Sequence, residues 1–136
     1  SKFEQADGLV IGSPVYYGSA NGTLMSALQR MFYSSHFDTS MKVGASVVSA
    51  RRSGCTDTFD ELNKFFTLSG MPVVSSQYWN NIYGWEPGEG DVDEEGKQVM
   101  RVLARNMVFL MESIALGKAR NIVPVTEERV WTNFTR

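Results

Sequence analysis

The chain has 136 residues, 43% of them apolar and 21% charged, the proportions of one soluble globular domain with a core of ordinary size. A net charge of −2 argues against nucleic acid or an anionic membrane as partner, and no run approaches the ~18 apolar residues of a membrane-spanning helix. One cysteine, Cys55, leaves no internal disulfide to form and fits a reducing compartment, so the expected location is the cytoplasm, with no signal peptide at Ser1. In that compartment the acceptor patterns Asn21-Gly22-Thr23 and Asn133-Phe134-Thr135 carry no glycan.

Residues 1–7 are polar and read as the end of a helix or a linker. Gly8-Leu9-Val10-Ile11-Gly12 is too short for a helix and reads as a buried strand. Pro14 lacks an N–H, so that strand is expected to stop at Ser13-Pro14. A loop of small residues and aromatics follows, from Tyr16 to Gly22. Thr23 to Ser35 is a helix with Leu24, Leu28, Met31 and Phe32 on one face, capped by Asn21 or Ser19. Ser34 to Met41 is a polar loop in which His36 has no metal-ligand spacing around it. Lys42 to Ser49 is the second strand, and it too runs into a glycine-containing polar loop, Ala50 to Thr56.

The second helix spans about Thr56 to Ser69, with Phe59, Leu62, Phe65 and Phe66 inward and Gly70 as its stop. Thr58-Phe59-Asp60-Glu61 fits a capping box in which Glu61 reaches back to the Thr58 N–H. Met71 to Ser75 is expected as the third strand. Ser76 to Val92 is a long loop whose length implies function and whose Tyr78, Trp79, Tyr83 and Trp85 argue against disorder. Asp93 to about Gly117 is the longest helix, with a stripe of Val99, Val102, Leu103, Met107, Leu110, Met111 and Ile114. Asp91, Asp93, Glu94 and Glu95 cluster at its start as a capping group, not as a catalytic carboxylate pair. Residues 117–136 are a C-terminal arm, and Val130 to Phe134 are expected to pack on the body. The alternation of strand and helix implies a parallel sheet covered on both faces, with ligands bound at the carboxyl ends of its strands.

Gly12-Ser13-Pro14-Val15-Tyr16-Tyr17-Gly18 resembles the second flavin loop of the flavodoxin-like NAD(P)H-dependent FMN reductases. Arg51-Arg52-Ser53-Gly54 resembles their third flavin loop, usually R-x-G-G, from which Ser53-Gly54-Cys55 departs. Gly70-Met71-Pro72-Val73-Val74, Tyr78-Trp79-Asn80, Asp93-Glu94-Glu95-Gly96 and Thr132-Asn133-Phe134 resemble later segments of the same family. The resemblance implies an α/β, flavodoxin-like three-layer fold. It implies FMN held by Pro14, Val15, Tyr16, Tyr17, Gly18 and Ser19 and by Ala50, Arg51, Arg52, Ser53 and Gly54. Gly18 and Ser19 would donate to the ring's carbonyls and N5. NAD(P)H is the implied co-substrate, with hydride passing through flavin N5 to a quinone, a flavin or another small acceptor. The chemistry is the cofactor's, so no catalytic side chain and no metal are expected. A homo-oligomer, dimer or tetramer, is the implied assembly.

Several residues have two readings. Tyr16 or Tyr17 stacks on the ring, or is an ordinary half-buried aromatic. Arg51 or Arg52 places positive charge near flavin N1/O2, or belongs to a solvated loop. Tyr78, Trp79 and Trp85 cover a ring or a neighbour's nicotinamide site, or pack at a dimer interface. Cys55 precedes a helix, where a thiolate is favoured, but is expected to be a bystander.

The chain departs from the resembled family at its front. A strand and a Ser/Thr-rich loop that cradles the FMN phosphate are expected before Gly8, where seven residues stand. Residues 1–136 are therefore expected to be the C-terminal portion of a single domain without its first two strands, through truncation or with another chain completing it. Related iron–sulfur flavoproteins carry a compact cysteine motif that one cysteine cannot supply, so no cluster is expected. Two other functions stay open: an electron-transfer module without NAD(P)H activity, and a non-catalytic fragment unable to hold FMN.

Overall fold

The computed structural model describes residues 2–134. Its centre is a three-stranded parallel sheet in the order β1 (Gly8–Pro14), β2 (Val43–Ala50), β3 (Asn81–Tyr83). Four helices surround it: α1 (Lys2–Gln5), α2 (Gly22–Ser34), α3 (Cys55–Leu68) and α4 (Glu94–Ala119). A 3-10 turn at Glu89–Val92 leads into α4.

The side-chain alternation of β2 builds two cores. Val43 and Ala45 face Leu103 and Met107 of α4, with Val74 beside them. Val48 faces the other way, into a core of Ile11, Leu28, Leu62 and Phe66 from β1, α2 and α3. Gly44 shares that second face and lies directly against the Phe66 ring, since a Cβ on Gly44 would sit 2.5 Å from ring atoms. The expectation of helices on both faces thus holds. α4 packs on β2 and β3, and Val10 on β1 remains 52% exposed.

The first strand runs on through Pro14, past the expected stop. Val15 N–H donates to Ser49 O at 2.9 Å, so by alternation the nitrogen of Pro14 faces away from β2. Among the described residues no strand pairs on that side, so the missing N–H costs no ladder bond there.

The third strand is not at Met71–Ser75. That segment makes one isolated parallel bridge, Val73 to Gly44, and the ladder resumes only at Asn81–Tyr83 beside Val48–Ala50. Asn80 fills the interruption. Its backbone O accepts from Val48 N–H and its side-chain Nδ2 donates to Ser46 O, both at 2.9 Å. A buried amide side chain replaces the missing backbone partner, which apolar patterning cannot show.

Helix starts follow local chemistry. Asn21 caps α2 by accepting from Leu24 N–H at 3.0 Å. The expected capping box of the second helix does not form. α3 begins three residues earlier than Thr58, at Cys55, so the Thr58 N–H already bonds Gly54 O within the helix. Asp93 caps α4 through Gly96 N–H at 2.9 Å, and its other oxygen takes Tyr83 N–H at 2.7 Å, tying β3 to α4. Asp93→Ala is expected to lower stability by about 1–2 kcal/mol in a urea titration followed by circular dichroism. A loss under about 0.5 kcal/mol would show that neither bond matters.

Residues 122–134 have no regular structure, and Val130, Trp131 and Phe134 are 73–94% exposed. The expected packing of this arm on the body is therefore not seen. Its apolar residues are split by the polar run Thr126 to Arg129, and Trp131 instead carries the Arg129 guanidinium 4.1 Å from its ring centroid. α4 extends to Ala119, two residues past its expected end near Gly117.

Candidate functional site at the carboxyl ends of β1 and β2

The two loops singled out in the sequence meet at one end of the sheet. Past Pro14, the Tyr16 N–H bonds Ser19 O at 2.9 Å and Ser19 N–H bonds Tyr16 O at 3.1 Å. This pair closes a two-residue turn at Tyr17 (φ 53°) and Gly18 (φ 74°), both left-handed, as a type I′ turn requires. Glycine adopts that conformation freely. Tyr17 does not, and its ring is fully exposed at the tip. Among the described residues the N–H groups of Tyr17 and Gly18 have no partner, and space beside Gly18 is open to 4 Å.

The second loop, Ala50 to Gly54, touches the first. Gly54 (φ 86°) starts α3, and a Cβ there would lie 2.8 Å from Val15 Cγ1 and 3.1 Å from Gly18 Cα. Arg51, Arg52 and Ser53 are exposed between them. The aromatic loop comes to the same place. Gly84 N–H donates to Ala50 O, and the Arg51 guanidinium stacks 4.0 Å from the Trp85 ring centroid. The Trp85 and Glu86 N–H groups both bond Glu89 Oε2, at 2.6 and 3.0 Å, which shapes that loop. Beside these loops, Gly12, Pro14, Ser49, Ile82 and Met100 line a groove of about 350 Å³.

Ser19 is committed elsewhere. Its N–H is used within the turn and its hydroxyl donates to Glu61 Oε2 at 2.7 Å. Of the expected donors Gly18 and Ser19, only Gly18 has a free N–H, and the Tyr17 N–H beside it is also free. The same Glu61 oxygen accepts from Ala20 N–H at 2.8 Å. The Ala20 N–H, and next the Ser19 hydroxyl, hold the Glu61 carboxyl below its ordinary pKa. Sequence reasoning missed this contact, which joins residues 41 and 42 positions apart. Its local pattern pointed instead to Thr58.

Cys55 is buried in the core beneath the second loop, and burial pushes its thiol up, with the Tyr83 hydroxyl opposing. Burial thus opposes the thiolate that a helix start favours. Burial, and then the Cys55 thiol, raise the Tyr83 hydroxyl. His36 lines a separate groove together with Phe3, Met31 and Phe37. Among the described residues no group of three or more His, Cys, Asp and Glu is placed to hold a metal. Nor, among them, is any helix long and apolar enough to cross a membrane.

A parallel sheet sandwiched by helices, with two touching loops at its carboxyl end, defines a flavodoxin-like α/β fold. RosB, solved with a bound 8-demethyl-8-formylriboflavin-5′-phosphate intermediate, superposes with a TM-score of 0.62 over 99% of this chain and 64% of its own, at 18% identity. A WrbA-like flavodoxin of Agrobacterium tumefaciens superposes with a TM-score of 0.53 over 76% of this chain and 70% of its own, also at 18% identity.

Residues 1–86 match the sequence profile described as NADPH-dependent FMN reductase, and the chain belongs to that family. It is similar to iron–sulfur flavoproteins of Methanocaldococcus jannaschii and Methanosarcina thermophila, each 28% identical over 83% of this chain. It spans 63% and 60% of those two relatives' lengths. Both carry iron–sulfur in their names, whereas Cys55 is the single cysteine here.

Proposed function

We propose that this chain forms the ring-facing part of an FMN site in a cytoplasmic flavoprotein oxidoreductase. The observation that carries the reading is the contact of two loops through Gly54, Val15 and Gly18, with two unpartnered N–H groups beside it. That donor set fits the carbonyls of a flat heteroaromatic ring, and open space at Gly18 permits close backbone approach. FMN, when bound, would supply hydride acceptance from NAD(P)H and delivery to a quinone, a flavin or another small acceptor.

The chain's own residues hold and tune. Val15 to Gly18 and Ala50 to Gly54 line the ring, and the Tyr16 or Tyr17 side chain is available to stack on it. Arg51, held by Trp85, brings positive charge to the same end and would favour a reduced, anionic ring. The phosphate-cradling loop implied by the resemblance is not among residues 2–134. The exposed Trp131 and Phe134 of the arm suit association with a second copy of the chain.

The visible spectrum of the purified protein tests this reading. Flavin bands that NAD(P)H bleaches under anaerobic conditions are expected. Bleaching by dithionite alone would mark an electron-transfer module. A colourless protein that takes up no added FMN would contradict both.

A further inference from the structure

We propose that Glu61 is the positioning residue that fixes the tip of the first loop from the neighbouring helix. The inference rests on the flavin reading only for what the loop holds, not for how the loop is held. Glu61 lies in the second turn of α3, on the far side of the second loop. Its Oε2 takes the Ser19 hydroxyl at 2.7 Å and the Ala20 N–H at 2.8 Å. Both distances fit charge-assisted bonds.

The two donors stand directly after the left-handed pair Tyr17-Gly18. On the other side, Ser13 Oγ accepts from Asn21 N–H at 2.9 Å. The returning strand of the turn is thus pinned at Ser19 and Ala20 to α3 and at Asn21 to β1. With the ends pinned, the free N–H groups of Tyr17 and Gly18 keep one direction. Tyr17 also stays in a backbone region that a non-glycine residue leaves when it can. A carboxylate strengthens both bonds by its charge, while an amide oxygen in its place, with two lone pairs, can still accept both. The residue carries no role in hydride chemistry. It acts through the loop.

The test uses the whole 136-residue chain and two readouts, amide hydrogen exchange and FMN titration by fluorescence quenching. Glu61→Ala is expected to speed exchange at the bonded amides within residues 16–21, those of Tyr16, Ser19, Ala20 and Asn21, roughly tenfold or more, the loss of one to two bonds to a charged acceptor, while β2 keeps its protection. FMN binding is expected to weaken by a similar factor. Glu61→Gln, which retains an acceptor oxygen, should recover most of both. Unchanged exchange at 16–21 in Glu61→Ala would overturn the proposal. So would equal acceleration in β2, which would mean that Glu61 holds the whole domain, and so would a Gln variant no better than Ala. If the unsubstituted chain binds no FMN, the flavin reading fails, and exchange at 16–21 still decides the role of Glu61.

Discussion

Phe66→Ala is expected to lower the unfolding free energy by about 3–5 kcal/mol, a large part of the ~5–15 kcal/mol typical of a domain. Phe66 is fully buried, on the last turn of α3 that faces β2. Its ring is seated where β2 offers Gly44, close enough that any side chain there would overlap it. Removing the ring leaves a void bordered by backbone, and backbone relaxes less than side chains do. Leu62 and Met71, its neighbours in the same core, cannot fill it without leaving their own contacts. Urea denaturation followed by far-ultraviolet circular dichroism measures the loss. A value below about 1 kcal/mol would mean that the α3 core is far looser than drawn here.

Gly54→Val is expected to be the most damaging single change at the site. The residue has φ 86°, and its Cβ would press on Val15 Cγ1 at 2.8 Å and Gly18 Cα at 3.1 Å. Backbone strain of about 1–3 kcal/mol adds to the displacement of the first loop, so FMN affinity should fall by about tenfold or more. Gly88→Val is the control. It has φ 90° with nothing within 4 Å, so it carries the backbone strain without the clash. FMN titration of both variants separates the two causes. Equal affinities for Gly54→Val and Gly88→Val would show that contact between the loops does not shape the site.

Much of this fold is legible in the sequence, because β1, α2, β2, α3 and α4 each carry their own periodicity and punctuation. The two loops are legible for the same reason, since each follows a short apolar run and precedes a helical one. What the sequence hides is long-range. The third strand is displaced to Asn81–Tyr83 because a buried Asn80 side chain substitutes for ladder bonds, and no alternation marks that. Pro14 reads as a stop, yet β1 runs through it because its missing N–H lies on the side away from β2. Glu61 sits in a sequence pattern that satisfies a local cap, while the folded chain gives it partners 41 and 42 residues away. The arm offered aromatic residues without a periodic face, and aromatic content alone does not secure packing.

The central claim is that residues of these two loops face FMN, and titration of FMN into the isotope-labelled chain tests it most directly. Amide shifts concentrated at Val15 to Ser19 and Ala50 to Gly54, saturating with FMN, are the predicted result. Shifts confined to other surfaces, or no shifts at millimolar FMN, would contradict it.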